Sequence, residues 1–287
     1  MMAADTATTG FQWIASYPKS GNTWLRLALL ALSQGDDAVD LSRTHSFAPM
    51  ASARSGFDAW LDLSSSDLSD AEVTDLRPRF HAAQARSLTT PLLRKVHDAW
   101  TYARDGTPLF APVVTHATIY LVRDPRDVAL SFAHHRACSV DDAIGLMADS
   151  ACWLARKRRG DATQLPQQIG SWSSNVASWL DAPGMPTPLL IRYEDMLAAP
   201  EDMVRQAAVH LGWTTDSAAI ARAVAATRFD VLQAQEAAAG FPEKPQKSSS
   251  FFRRGVAGGW RDALSRDQAS RICRDQQVVM ERLGYLP

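Results

Sequence analysis

The sequence predicts an α/β protein with a central parallel sheet flanked by helices on both faces. Three observations carry that reading. Short apolar runs of strand length recur at Phe11 to Tyr17, Leu92 to His97, Thr118 to Val122 and Pro188 to Ile191. Segments rich in helix formers alternate with them. Three of these runs end in polar side chains capable of chemistry, at Lys19, Arg123 and Tyr193, and ligands of open parallel sheets bind beyond the carboxyl ends of the strands.

The first run ends at Pro18 and a glycine-containing turn, and Leu25 to Leu32 continues as helix. Residues 36–90, with Ser/Asp clusters and scattered aromatics, read as loops and short helices over a core. Thr118 to Val122 is β-branched and apolar. After it, Asp124 suits an N-cap, Pro125 the first helical position, and Asp127 the far partner of a capping box. That helix carries Val128 to His135. Further helices are expected at 141–158, closed by Arg156-Lys-Arg-Arg159 and Gly160, and at 168–181. After the strand at 188–191, helices are expected at 200–212, 216–226 and 230–239. A polar loop spans 241–250 and a final helix 262–284.

Composition narrows the function. The 287 residues are 46% hydrophobic and 21% charged, which excludes a disordered or fibrous chain. A net charge of -1 argues against a nucleic-acid binder, so any anion site must be a local cluster of cations. Only five of the 30 cations are lysines: Lys19, Lys95, Lys157, Lys244 and Lys247. Three scattered cysteines, Cys138, Cys152 and Cys273, make neither a disulfide framework nor a zinc site and point to a reduced, cytoplasmic compartment. The first eighteen residues lack the basic start of a signal peptide, and the apolar run Leu27 to Leu32 is too short for a membrane span.

Tyr17-Pro-Lys-Ser-Gly-Asn-Thr-Trp24 reads as an anion loop on physical grounds. It joins a buried strand to a helix start, where free backbone N–H groups and the positive end of the dipole point outward. Gly21 permits close backbone approach, Ser20, Asn22 and Thr23 add donors, and Lys19 adds charge. It is not a Walker A loop, which sets Gly-Lys-Ser/Thr together so that the hydroxyl reaches magnesium. The strand ending at Val122 is followed by Arg123, where a kinase of this topology prefers a metal-binding Asp. Both departures argue against a magnesium-dependent phosphoryl transferase.

The same loop resembles the 5′-phosphosulfate loop of the cytosolic sulfotransferases, Tyr-Pro-Lys-Ser-Gly-Thr-Thr-Trp. Arg123-Asp-Pro-Arg-Asp-Val-Ala-Leu-Ser131 is similar to their 3′-phosphate signature, and Phe252-Arg-Arg-Gly-Val-Ala-Gly-Gly-Trp-Arg261 to their late Arg-Lys-Gly-x-x-Gly-Asp-Trp-Lys motif. Gly170-Ser-Trp172 and Arg192-Tyr-Glu-Asp-Met196 fall in the family order. The resemblance spans roughly 11–284. It implies a P-loop-like sheet and a single domain over 1–287, with a disordered N-terminus to about residue 10. Segments 36–90 and 240–258 then become acceptor-site or lid segments, with Gln246 to Ser250 a candidate lid.

The resemblance further implies 3′-phosphoadenosine 5′-phosphosulfate (PAPS) as donor, adenosine 3′,5′-bisphosphate (PAP) as product, and no required metal. Lys19 would contact the phosphosulfate, and Ser20, Gly21, Asn22 and Thr23 the 5′-phosphate. Arg123, Ser131, Arg253, Arg254 and Gly255 would hold the 3′-phosphate, where arginine pairs in bidentate fashion. Trp24 and Phe229 would flank the adenine, with polar contacts from Tyr193 and Thr227. An attacking hydroxyl must lose a proton, a task suited to histidine. Of seven histidines, His97 in Lys95-Val96-His97 resembles the family's Lys-Thr-His, with Lys95 neutralising sulfuryl oxygens. His45 is the reserve candidate. Ser131 would also restrain Lys19 until the donor is in place.

Gly259 stands where the family carries Asp, Asn22 where it carries Thr, and its dimer motif after the tryptophan is not matched. The expected function is sulfuryl transfer to a hydroxyl of a small-molecule acceptor, with no nucleic-acid or membrane partner. The alternatives are a P-loop small-molecule kinase and a non-catalytic nucleotide-binding protein.

Overall fold

The computed structural model describes residues 9–35, 37–156, 163–244 and 250–287. The expected disordered N-terminus lies largely outside them, as do most of the Arg156–Arg159 cluster and of the 246–250 segment. Strands β1 (Phe11–Ser16), β2 (Leu92–Val96), β3 (Thr115–Val122) and β6 (Leu189–Arg192) form one wholly parallel sheet in the order β2-β1-β3-β6. Two short strands, β4 (Trp153–Leu154) and β5 (Gln167–Gln168), pair antiparallel apart from it.

Every residue of β1 is buried, as a central parallel strand requires. Its side chains divide with period two. Trp13 and Ala15, with Tyr120 and Val122 of β3, pack against α5 (Pro125–Arg136), α6 (Val140–Ala148) and α7 (Trp172–Leu180). Ile14, with Ile119, Leu121 and Ile191, packs against α1 (Asn22–Gln34), α8 (Tyr193–Ala198) and α9 (Pro200–His210). Two short helices, α2 (Thr44–Phe47) and α3 (Arg54–Leu61), precede α4 (Asp70–Ala85). Helices α10 (Ser217–Ala226) and α11 (Phe229–Ala239) lie outside α1, through Leu27, Ala223 and Leu232. No helix of the described residues is long and apolar enough to cross a membrane.

Three elements differ from expectation. The 16-residue helix α4 lies within the stretch read as loops and short helices, opened by a capping box between Ser69 and Glu72. Pro78 inside it, and apolar residues spread around its circumference, hide it from a periodicity reading. The helix expected at 141–158 ends at Ala148, because the Asp149 carboxylate turns back to the Ala151 N–H (2.8 Å) and β4 follows. Arg156 is therefore no helix-end cation. It pairs with Asp70 (2.8 Å) and lies over the Trp153 ring. The final helix is three, α12 (Trp260–Ala263), α13 (Arg266–Asp275) and α14 (Gln277–Arg282). Ser265 starts a new capping box, and the Gln276 side chain leaves the helix surface to bond Met147 O and the Ser173 N–H.

Asp124 caps α5 as expected, accepting from the Arg126 N–H. Asp127 does not complete a capping box. Its carboxylate accepts from the backbone N–H groups of Gly258 (2.6 Å) and Trp260 (2.9 Å), fastening the late glycine-rich loop to the first turn of α5.

Helix α4 also supplies Arg77, which makes a bidentate pair with Asp98 at 2.7 and 2.9 Å, both residues 1% exposed. Removing one partner of such a pair strands the other charge in the core. Arg77→Met should lower unfolding free energy by about 3–5 kcal/mol in chemical denaturation; a loss below about 1 kcal/mol would show that the Asp98 carboxylate is otherwise satisfied.

Candidate active site

All four parallel strands deliver side chains to one cavity of about 870 Å³ at their carboxyl ends. Lys19, Gly21, Asn22, Thr23 and Trp24 come from the loop after β1 and the start of α1. Lys95 and His97 come from β2, Arg123 and Ser131 from the end of β3 and α5, and Tyr193 follows β6. Thr227, Phe229, Arg253, Arg254 and Gly255 close the rim. Of the expected site residues only Ser20 does not line the cavity. It is fully buried beneath the loop, and its Oγ has no hydrogen-bond partner there.

The loop is shaped by two departures from ordinary backbone, on either side of Ser20. Lys19 has φ 72° and Gly21 φ 98°, a left-handed region that an L side chain enters only at a cost. A Cβ on Gly21 would stand 2.8 Å from the Tyr193 ring, so glycine is required for space as well. No side chain caps α1, which leaves the backbone N–H groups of its first turn without intrahelical acceptors, facing the cavity. The Asn22 side chain takes no part in that cradle. Its amide donates to Ile14 O (2.9 Å) and Ser16 Oγ (3.2 Å), bracing the loop against β1. Thr23 Oγ1 donates to Glu243 (3.0 Å), and Thr227 Oγ1 to Ala223 O (2.7 Å).

Beside the loop, Arg123 donates to Lys19 O (3.4 Å) and Val256 O (2.8 Å) and stacks over Tyr193 (4.2 Å to the centroid). Its Nε is buried with no partner. Gly255, at φ 62°, lies on the Phe229 ring, where a Cβ would stand 2.3 Å from ring carbon. Trp24 donates its Nε1–H to Thr227 O (3.0 Å) and meets Tyr193 edge-on. Trp24 and Phe229 thus present aromatic walls to the same cavity.

His97 Nδ1 lies 2.9 Å from Ser16 O, an acceptor only. The ring therefore carries its proton on Nδ1 and keeps a lone pair on Nε2. Asn175 holds the His97 carbonyl (3.1 Å) and is itself held by the Tyr120 hydroxyl (2.7 Å). Burial, then the Lys95 charge, push the imidazole down to about 3. Burial, then Lys95 and Arg123, bring Lys19 down to about 8, and its ammonium rests over the Phe251 ring at 4.5 Å. These shifts share a cause, since unneutralised cations crowd one desolvated site. A multiply charged anion placed among them reverses each one.

The sequence reading did not single out several lining residues: Met50, His135, Gln164, Gln167, Phe251 and Glu243. His135, half-buried on α5, is held at about 4 by burial and then by Lys19 and Lys95. It is adjacent to the Ser131 signature, the one local signal that marks it. Nothing near Glu243 in sequence does so. His45 also lines the cavity but from its mouth, with its side chain half exposed.

These parts make a polyanion cradle. Helix-start N–H groups, Lys19 and Lys95, Arg123 with its unused Nε, Arg253 and Arg254, and the Trp24 and Phe229 rings line one cavity. The profile of the sulfotransferase domain family matches residues 12–284, and the chain belongs to that family, among the PAPS-dependent sulfotransferases. It is similar to cytosolic sulfotransferase 16 of Arabidopsis thaliana, with 24% identity over 277 residues, covering 90% of this chain and 72% of the relative. Two solved structures share its fold at 18% identity. They are mouse sulfotransferase SULT7A1 complexed with PAP (TM-score 0.57, 96% of this chain, 85% of that one) and retinol dehydratase in complex with androsterone and PAP (TM-score 0.60, 94% and 80%).

Lys19 is charged below about pH 8 and neutral above it. PAP affinity should therefore fall as pH rises through 8, and binding near that pH should take up a proton. Calorimetry in buffers of different ionisation enthalpy reads both; affinity flat from pH 7 to 9.5 would remove Lys19 from the anion site.

Proposed function

We propose that this chain moves a sulfuryl group from PAPS to a hydroxyl of a small-molecule acceptor, with His97 as general base. One observation carries the reading: a histidine with Nδ1 fixed on a backbone carbonyl shares the cavity with Lys19, Lys95 and the helix-start cradle. When bound, PAPS supplies the sulfuryl group and a phosphate leaving group. The N–H groups of the α1 start and Lys19 hold the 5′ end, and Arg123, Arg253, Arg254, Ser131 and Gly255 the 3′-phosphate. Ser131, which shares the cavity with Lys19 from α5, also restrains Lys19 until the donor is in place. Trp24 and Phe229 flank the base, with Tyr193 and Thr227 at its edge.

The chemistry follows from where charge moves. Lys19 neutralises the oxygen that gains charge as the S–O bond breaks, and Lys95 the equatorial sulfuryl oxygens. His97 accepts the acceptor's proton at Nε2, and the donor's negative charge raises its basicity towards the value general-base work needs. These cations supply the neutralisation, so no step calls for a metal ion. The acceptor side is walled by Met50, Phe132, Leu154 and Phe251, with polar points at His135, Gln164 and Gln167. Segments 36–90 and 240–258 both reach this wall, which supports their reading as acceptor-site segments of one domain. The androsterone held by the retinol dehydratase neighbour supports an acceptor of that size. The family's cytosolic members support a cytoplasmic setting.

PAP without magnesium should raise the melting temperature, with ATP and magnesium doing little. The opposite pattern would favour a kinase. His97→Ala should leave PAP affinity within about twofold while turnover falls by about 10²–10⁴-fold. Undiminished turnover would refute the base, and an absence of turnover with any acceptor, in wild type, would leave only a nucleotide-binding protein.

A further inference from the structure

Among the described residues lining the cavity, Glu243 is the one carboxylate. It follows α11 on a segment that carries no donor motif, yet only 6% of its side chain is exposed. Its two oxygens have separate tasks. Oε1 accepts from Arg26 Nη1 at 2.8 Å, and Oε2 accepts from both Lys95 Nζ (3.1 Å) and Thr23 Oγ1 (3.0 Å).

Arg26 makes this arrangement hard to move. It is fully buried on α1, and its other amine nitrogen donates to Thr44 O (2.9 Å). Swinging Glu243 away would leave a guanidinium in the core without a counter-charge, a large penalty. The Lys95 backbone is equally fixed, bonded through its N–H to Pro49 O (3.0 Å) and through its carbonyl to the Ala51 N–H (2.9 Å). Around its ammonium the other titratable groups are cations or imidazoles: Arg26 from α1, Lys19 from the loop, His97 further along the β2 exit, and His135 from α5. His45 of α2 stands 3.8 Å from the Glu243 Oε1. Glu243 is the group that opposes this positive surrounding.

We propose that Glu243 is a positioning residue for the transfer: anchored on Arg26, it fixes the Lys95 ammonium, protonated, beside His97. The inference rests on the reading of Lys95 and His97 as reaction-centre groups. The geometry has a direct consequence. A lysine buried among cations loses its proton readily, and burial does lower Lys95, with Glu243 the first influence restoring it. Without the carboxylate, Lys95 becomes neutral at lower pH and the sulfuryl oxygens lose their partner.

The chain holds only five lysines, so lysine labelled with carbon-13 at Cε gives five resolvable NMR signals in the full-length protein, with Lys95→Arg identifying the one that matters. In wild type Lys95 should titrate at higher pH than Lys19. In Glu243→Gln it should titrate lower than in wild type by about one pH unit or more, while Glu243→Asp, which keeps the charge, should recover most of the difference. Turnover of Glu243→Gln should fall modestly at pH 6 and by about tenfold or more, relative to wild type, by pH 8.5. A Lys95 that titrates alike in wild type and Glu243→Gln, or a loss of turnover equal at every pH, would reduce Glu243 to a structural ion-pair partner and overturn the proposal. Should Glu243→Gln fail to fold, the wild-type order decides: Lys95 titrating below Lys19 overturns it. The NMR arm needs no turnover, so it separates failure of the clamp from failure of the sulfotransferase reading.

Discussion

Crowding of positive charge in a chain with no net excess of it governs this structure. Lys19, Lys95, Arg123, Arg253 and Arg254 converge on one cavity, while the whole sequence is balanced to within a single charge. Burial, and after it the repulsion of neighbouring cations, depresses Lys19 and His97. The fold resists that repulsion with buried anchors: Arg77 with Asp98 behind the His97 strand end, Asp127 on the late loop, and the Asn175–Tyr120 pair behind His97. The cleft is held open for an anion by a scaffold that does not depend on one.

What the sequence disclosed, and what it hid, follow from how local each cause is. Strands β1 and β3 were legible because a strand buried on both faces is mostly apolar, a demand visible in Phe11 to Tyr17 and, for the later half of β3, in Thr118 to Val122. The anion loop was legible because its glycine, lysine and hydroxyls act within one turn of chain. Helix α4 was hidden by Pro78, and α6 was read too long because Asp149 ends it through a side-chain bond rather than a glycine.

Within the site, the same rule holds. His97 and Lys95 share a tripeptide and could be found together. Glu243, Arg26 and Lys95 are brought together only by folding, separated by 217 and 148 positions from Glu243, and no spacing rule encodes that. Asn22 shows the reverse error, a residue in the right motif whose amide serves β1 instead of the cavity. Motif position identified the neighbourhood of each side chain but not the direction in which it points.

The clasp that Asp127 makes with Gly258 and Trp260 splits one functional unit across 131 and 133 positions of chain. The rim arginines lie just before that clasp, so their placement is governed from a helix they never touch in sequence. Loop exchange between related enzymes is often imagined as moving a self-sufficient cassette. Here the cassette would arrive without its buckle, and a graft of 250–261 would inherit its arginines' chemistry while leaving their aim to whatever carboxylate the host happens to offer.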